Sequence, residues 1–128
     1  PLVPLGITVP PAMYDDYVKL CAPISGVNPD FPFVVKKNEG QPGPVPKTAG
    51  GSDHAYFVMN GCPAISLTLG DPKGYNFNYG EIWHTERDLY TKSIPEYMEH
   101  TSVVTAVVAL GVANLKKQLS REGMYSDQ

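Results

Sequence analysis

The sequence predicts a mixed α/β fold, and three segments support this prediction. Ala64–Leu69 is short, uncharged and rich in residues that favour strands, so we expect a buried interior strand there. Pro95–Leu119 carries an apolar stripe at helical spacing, which must pack on a sheet or on another helix. Pro11–Cys21 predicts a second helix, because a proline suits its first turn and two aspartates follow near its N-terminus.

The long helix has the clearest signals. Ser93 and Glu96 have the spacing of a capping box, which marks a helix start. Basic residues crowd the predicted C-terminal end, where the helix dipole favours cations. The stripe that we expect to face the core consists of Val104, Val107, Val108, Gly111, Leu115 and Leu119.

Most of the remaining chain predicts loops and extended segments. The prolines of Pro1–Pro10 favour an extended lead-in over a helix or a central strand. Phe31–Lys36 predicts a strand, and its proline places that strand at a sheet edge. Gly70–Ile82 is rich in aromatic residues and glycine and predicts a long loop.

The composition excludes several function classes. The chain of 128 residues has 10 Lys and Arg against 13 Asp and Glu, and this balance does not suit a nucleic-acid binder or a binder of anionic membranes. Its longest apolar segment, near Val103–Val112, is too short to insert across a bilayer. Two cysteines cannot build a disulfide scaffold or a zinc finger, although Cys21 and Cys62 could either pair or remain separate thiols.

Three histidines are candidates for chemistry. His100 lies inside the predicted long helix without a second ligand one turn away, which favours a surface or half-buried histidine with a structural role. His54 follows a glycine turn in which Ser52 is expected to cap a short helix through Met59, with Gly61 ending that helix in the left-handed conformation. That helix start could hold a carboxylate, or its polar residues could act only as caps.

His84 directly follows the aromatic loop. A histidine at the end of a loop is free to point into a cleft, and Thr85 or Asp88 could orient its ring. Taken alone, this motif more often belongs to a structural histidine than to a metal ligand, because a zinc site needs three or four protein ligands.

Together, these segments resemble the C-terminal half of the co-catalytic zinc aminopeptidase family over roughly residues 50–115. This family includes secreted bacterial aminopeptidases and the carboxypeptidase Q group, and the animal glutaminyl cyclases are its relatives. The motifs occur in the family's order, ahead of the long helix: Gly51-Ser52-Asp53-His54-Ala55-Tyr56-Phe57, Gly61-Cys62-Pro63-Ala64 and Trp83-His84-Thr85-Glu86-Arg87-Asp88.

The resemblance implies a three-layer αβα sandwich of the zinc exopeptidase type. Residues 1–128 would then be the C-terminal portion of one catalytic domain, and the N-terminal half of that domain would be a partner. Because the chain begins at Pro1 without an initiating Met, we expect a processed or truncated product.

The resemblance also assigns roles to individual residues. His84 matches the last zinc ligand, and Asp53 matches a carboxylate that hydrogen-bonds around the metal-bound groups. Thr85 and Asp88 match residues that brace the metal loop. Trp83 occupies a position where many members have a tyrosine that stabilises the oxyanion, and an indole N–H could donate there instead. No catalytic residue is assigned within this half.

The implied function is that of an exported, secreted or periplasmic zinc exopeptidase acting on peptides. Two zinc ions in the complete enzyme would activate a water molecule, and this chain would supply one of their ligands. The other ligands and the general base lie upstream in the family. The acidic residues before Gly50, namely Asp15, Asp16, Asp30 and Glu39, do not sit in matching contexts, so we expect the fragment to be inactive alone.

Three alternatives remain. A glutaminyl cyclase-like zinc acyltransferase is one, because those enzymes share the Trp83-His84-Thr85 sequence. A binding or assembly module that kept the fold and lost the site is another. The third is a small α/β domain in which His84 is structural, since fold alone does not fix function.

Overall fold

The computed structural model describes residues 2–127, so Pro1 of the expected lead-in and Gln128 lie outside the described residues. Strands and α-helices alternate along this part of the chain, which confirms a mixed α/β fold. The elements are β1 (Val3–Val9), α1 (Tyr14–Cys21), β2 (Val34–Lys37), α2 (Ala55–Met59), β3 (Leu67–Gly70), α3 (Tyr79–Ile82) and α4 (Pro95–Ala113). Short 3-10 helices cover Pro11–Met13, Ala22–Gly26 and Tyr90–Lys92.

The sheet described by the structure has the order β2-β1-β3. β2 lies at an edge of this sheet, which confirms the edge strand predicted near Phe31–Lys36. β1 is parallel to β2 and antiparallel to β3. β3 lies at the other edge of the described sheet, so the prediction of an interior strand at Ala64–Leu69 was wrong. Apolar composition does not distinguish an interior strand from an edge strand, and here Leu69 points outward with 53% of its surface exposed.

β1 occupies the centre of the sheet, where the prolines of the N-terminal segment had predicted a simple extended lead-in. A proline is tolerated in a strand where the ladder needs no N–H. Pro4 lies at a register shift between Pro4 and Gly6 in the pairing with β3, and Pro10 follows the end of the strand. At Gly6 the central strand runs so close to its neighbour that a Cβ would lie 2.6 Å from the Val34 carbonyl oxygen.

Helices α1 and α4 pack together over β1 and form the core with it. The predicted helix at Pro11–Cys21 is confirmed, with its first turn in the 3-10 conformation. Buried residues from these elements form one apolar cluster: Ile7, Val9, Met13, Tyr17, Cys21, Ile24 and Val104. A second, smaller cluster consists of Val3, Phe31 and Tyr97.

The two helices approach closely at Gly111. A Cβ on this residue would lie 2.8 Å from the Cβ of Leu20 in α1. A side chain at position 111 would therefore push the helices apart. The glycine in the predicted apolar stripe is required by packing, in spite of its low helix propensity.

The long helix begins at Pro95, as predicted, but its predicted capping box and its predicted C-terminal end were wrong. The helix begins after Ile94 without a side-chain cap, because the Ser93 hydroxyl donates to the Tyr90 carbonyl instead and Glu96 pairs with Lys73. It ends at Ala113, since Asn114 takes the capping position and donates its N–H to the Leu110 carbonyl at 3.0 Å. Leu115 and Leu119, with the basic residues around them, thus follow the helix.

The short helix α2 differs from its prediction at one end only. It begins at Ala55 after His54, and the Ser52 side chain does not cap it. Gly61 has φ +73°, which confirms the left-handed conformation predicted after this helix. Cys62, which follows, is an exposed free thiol, and Cys21 is a buried free thiol whose pKa burial raises to about 11.

No helix among residues 2–127 combines the length and the apolar character needed to cross a bilayer.

His100 is the buried polar side chain of the core. It is 2% exposed and lies against the Phe31 ring, with ring centroids 5.0 Å apart. Within the described residues neither of its ring nitrogens makes a well-aligned hydrogen bond. Burial lowers the pKa of His100, and the Pro4 carbonyl offsets this effect only in part. The predicted surface or half-buried position was therefore wrong, because the ring packs into the core against Phe31.

Replacing Gly111 with valine is expected to lower the free energy of unfolding by about 1–3 kcal/mol, because the new side chain overpacks the contact with Leu20. Ala109→Val is the matched control, since it adds the same β-branched side chain at an exposed site of α4. Urea denaturation followed by circular dichroism measures both variants. Equal losses of stability in the two would show that the helices do not meet at Gly111.

Acid is expected to destabilise the protein through His100. With a folded-state pKa below the unfolded value of about 6.5, His100 takes up its proton in the unfolded chain first, so stability falls as the pH drops below that value. The slope contributed by one proton is at most about 1.4 kcal/mol per pH unit.

His100→Phe removes both unpaired nitrogens and is expected to abolish this component of the pH dependence while keeping stability at pH 7.5. His54→Gln, at an exposed histidine, serves as the control. Urea midpoints at pH 7.5, 6.0 and 5.0 provide the measurement. An unchanged acid slope in His100→Phe contradicts the assignment.

Candidate functional site

All the candidate site residues except Asp53 lie on the segment that begins with α3. The Asn78 side chain caps this short helix by accepting a hydrogen bond from the Gly80 N–H at 3.0 Å. The helix ends at Ile82, and the following Trp83 donates its N–H to the Tyr79 carbonyl at 2.9 Å. The chain then turns sharply and places His84 at the surface.

His84 occupies the third position of a type II β-turn formed by residues 82–85. The Thr85 N–H donates to the Ile82 carbonyl at 3.0 Å and closes the turn. Trp83 has φ −57° and ψ 120°, and His84 has φ +56°, as this turn type requires. Glycine or asparagine normally fills that position, because a Cβ is crowded at positive φ. The backbone of His84 is therefore strained.

Thr85 braces the turn from its C-terminal side. Its hydroxyl donates to the Ile82 carbonyl at 2.9 Å and accepts a hydrogen bond from the Arg87 N–H at 3.2 Å. Its carbonyl accepts a hydrogen bond from the Asp88 N–H at 3.2 Å. These contacts fix the backbone on both sides of His84 through one threonine.

Three aromatic rings stack along this segment. The indole of Trp83 lies on the imidazole of His84, with centroids 4.3 Å apart and an interplanar angle of 23°. The ring of Tyr79 stacks on Trp83 at 6.0 Å and 26°. All three side chains are exposed, so the stack orients the imidazole at the surface without burying it.

Asp53 lies on a different turn, just before α2. The Ser52 N–H donates to the Gly50 carbonyl at 2.9 Å, and Asp53 lines an open depression of about 560 Å³ beside this turn. Asp88 instead lines a larger groove of about 780 Å³. Within residues 2–127, Asp53 shares no hydrogen bond with His84. The structure brings Trp83, His84 and Thr85 together and leaves Asp53 outside this group.

The larger groove has mostly apolar walls. It runs between the segment around His84, the edge strand β3 and the exposed side of α4. The apolar residues that line it are Leu2, Leu69, Phe77, Tyr79, Ile82, Leu89, Tyr90 and Met98.

Comparison with protein-family models gave a match to peptidase family M28 over residues 31–109. The chain belongs to this family. The match runs from just before β2 into α4 and includes every candidate site residue, so it confirms the resemblance to zinc aminopeptidases at the family level. Comparisons with curated proteins and with solved structures gave no significant match.

Membership of family M28 makes this chain part of a metallopeptidase lineage that generally depends on zinc. Among the described residues, however, no three His, Cys, Asp or Glu side chains come close enough to hold a metal ion. A zinc ion in a protein normally takes three or four protein ligands. The residues present therefore do not fit a zinc ion held by this chain alone.

Sequence reasoning identified Trp83, His84 and Thr85 but missed Tyr79. The spacing of Tyr79 and Trp83, four residues apart at the edge of a short helix, was a signal for their contact. The strain at His84 could not be read in the same way, because it depends on the backbone conformation of the turn.

The turn predicts an unusual order of stability for substitutions at position 84. His84→Gly is expected to be more stable than His84→Ala by about 0.5–1 kcal/mol, because glycine adopts positive φ without the crowding of a Cβ. Both variants lose the stack on Trp83, so their difference reports the backbone alone. Thermal or urea unfolding measures it.

Glu86 is the matched control position, since its φ is not positive and its side chain is exposed. There alanine is expected to be at least as stable as glycine. The same order at both positions would rule out backbone strain at His84.

Proposed function

We propose that this chain is the C-terminal portion of the catalytic domain of a zinc-dependent exopeptidase of the aminopeptidase type. In this proposal His84 supplies one zinc ligand, and the N-terminal portion of the same domain supplies the remaining ligands and the general base. The fragment alone is then inactive.

The strained turn at His84 carries the proposal. A non-glycine residue is held at positive φ and a tryptophan stacks on its exposed ring, within the region that matches family M28. Backbone strain of this kind is retained mainly where it serves a function. Glycine at this position would relieve the strain but would lose the stack of His84 on Trp83.

The exposed surface supports a partner from the same domain. The described protein exposes 8892 Å², whereas a compact globule of 13.9 kDa exposes about 6,700 Å². The outer edge of β3 is unpaired in the described sheet, and the apolar groove lies beside it. An unpaired strand edge next to an apolar surface favours association with another polypeptide segment.

Within this proposal the other candidate residues bind and orient. Asp53 would hydrogen-bond to substrate or to the ligands, once the complete domain brings the α2 turn toward His84. Thr85 and Asp88 keep the ligand loop in place, and the indole N–H of Trp83 is available to donate to a substrate oxygen. The Gly70–Ile82 segment would form a wall of the peptide-binding pocket.

Secretion or a periplasmic location is proposed from the resemblance to exported members of this family. The net charge of −3 does not favour binding to nucleic acid.

A glutaminyl cyclase-like activity is the second candidate, and Trp83 is the residue that favours it. Trp83 stacks on His84, the proposed zinc ligand, and this stack is compatible with either activity. Turnover of a leucyl chromogenic substrate by the complete enzyme supports the aminopeptidase. Cyclisation of a glutaminyl substrate without hydrolysis supports the alternative.

In the complete enzyme, His84→Ala is expected to lower the zinc content and abolish peptide hydrolysis, because the site loses a ligand. Asp53→Asn is expected to keep most of the zinc and to lower turnover by about 10- to 100-fold, the usual effect of removing a group that orients ligands. Elemental analysis beside a kinetic assay measures both quantities.

His54→Ala provides the control, since this exposed neighbour of Asp53 has no role in the proposal. It is expected to leave zinc content and turnover unchanged. Full zinc occupancy with near-normal turnover in His84→Ala would sink the proposed function and leave His84 as a structural residue.

A further inference from the structure

A polar cluster joins the Gly70–Ile82 loop to the first turn of α4. It has no part in the proposed chemistry, and its members come from segments far apart in the sequence. We call it the Asp71 cluster, and it consists of Asp71, Lys73, Tyr75, Glu96 and Tyr97.

The Asp71 carboxylate lies at the centre of the cluster and accepts three hydrogen bonds. The Tyr97 hydroxyl donates to its Oδ1 at 2.7 Å, and the backbone N–H of Tyr75 donates to the same oxygen at 3.0 Å. The backbone N–H of Asn76 donates to Oδ2 at 2.7 Å. The hydrogen bond from Tyr97 is the main reason why the pKa of Asp71 lies below its usual value.

Tyr97 has no surface exposed to solvent, so its hydroxyl depends on partners inside the protein. Besides donating to Asp71, it accepts a hydrogen bond from the Lys73 N–H at 3.0 Å. The hydroxyl thus has one donor and one acceptor as partners, both in the loop. Burial of Tyr97 in the core and closure of the loop on α4 are therefore coupled.

An outer layer of charges covers this contact. The Lys73 ammonium lies 2.7 Å from Glu96 and 3.2 Å from Asp30, and the Tyr75 hydroxyl hydrogen-bonds to Glu96. These side chains are partly exposed, and exposed ion pairs contribute little because water screens them. The buried hydroxyl and the Asp71 carboxylate form the stronger part of the cluster.

The loop that the cluster fixes leads directly to the stacked rings. Only two residues separate Asn76, the last residue bound by Asp71, from the N-terminal end of α3 at residues 79–82. Phe77 and Ile82 from this segment line the apolar groove together with Met98 of α4. Tyr79 then stacks on Trp83, and Trp83 on His84.

We propose that Asp71 is a positioning residue that acts through the buried hydroxyl of Tyr97. By holding the loop against α4, it keeps Tyr79 and Trp83 in the arrangement that orients the imidazole of His84. A role of Asp71 in catalysis rests on the proposed function, but its role in positioning the aromatic rings does not.

The chemistry of the cluster requires a carboxylate at position 71. All three partners donate, and an ionised aspartate only accepts. An asparagine would present its NH₂ group to one of these donors and lose at least one hydrogen bond. A phenylalanine at position 97 would leave the Lys73 N–H without its partner and Asp71 without its buried donor.

The test uses NMR on the 128-residue chain. Because Trp83 is the one tryptophan in the sequence, its indole signals are unambiguous. In Asp71→Asn and in Tyr97→Phe we expect loss of the nuclear Overhauser contacts between Trp83 and His84. We also expect amide exchange at Tyr75 and Asn76 to become about tenfold faster or more, because a hydrogen bond to a charged group is lost. Amides of β1 are expected to keep their protection.

Asp30→Asn is the matched control, since it breaks only the exposed ion pair with Lys73. It is expected to keep the contacts between Trp83 and His84. The double variant Asp71→Asn/Tyr97→Phe is expected to have no greater effect than either single variant, because both substitutions break the same interaction between residues 71 and 97. Additive effects, or intact contacts between Trp83 and His84 in both single variants, would overturn the proposal.

A variant that fails to fold does not end the test. In the wild-type chain, the amides of Tyr75 and Asn76 are expected to be protected although both residues are exposed, and unprotected exchange there would equally overturn the proposal. None of these measurements depends on zinc or on peptide hydrolysis. A failure of the proposed function would therefore leave their outcome unchanged.

Discussion

One side of α4 packs against β1 and α1 along almost its full length, and the other parts of the structure depend on this contact. Val104 is fully buried in the main core, Gly111 lets α1 approach, and Tyr97 is buried near the helix start. At that start the Tyr97 hydroxyl also receives the Gly70–Ile82 loop through Asp71. The same helix thus closes the core at one end and sets the position of the candidate site at the other.

The elements with strong local signals were predictable from the sequence. A proline followed by acidic residues marked the start of α1, and Gly61 marked the turn after α2 through its freedom to adopt positive φ. The order and direction of the strands were not predictable, because they depend on pairing between distant residues. Pro4 argued against a central strand at β1, yet a register shift in the pairing with β3 accommodates it.

The candidate site also has a part that was predictable from local sequence and a part that depends on distant contacts. Trp83, His84 and Thr85 are neighbours in sequence, so a motif sufficed to identify them, and a type II turn brings them together. Asp53 lies about thirty residues earlier, and no local pattern specifies whether two distant turns meet. The Asp71 cluster was partly readable, since Asp71-Pro72-Lys73-Gly74 is typical of a turn. Its contact with Tyr97 spans 26 residues and needed the structure.

The division between a closed core and an open site surface fits the proposal that this chain is one portion of a larger domain. The apolar clusters around α4 include β1 and α1 but none of the stacked rings, so the fold does not depend on the orientation of His84. Conversely, the turn at residues 82–85 is closed by its own hydrogen bond, and the stack on Trp83 orients the imidazole before any ligand arrives. A group held in place in advance loses little conformational entropy on binding. In the proposed function, a single histidine prepared in this way would bind a metal weakly alone and would contribute fully once other ligands complete the site.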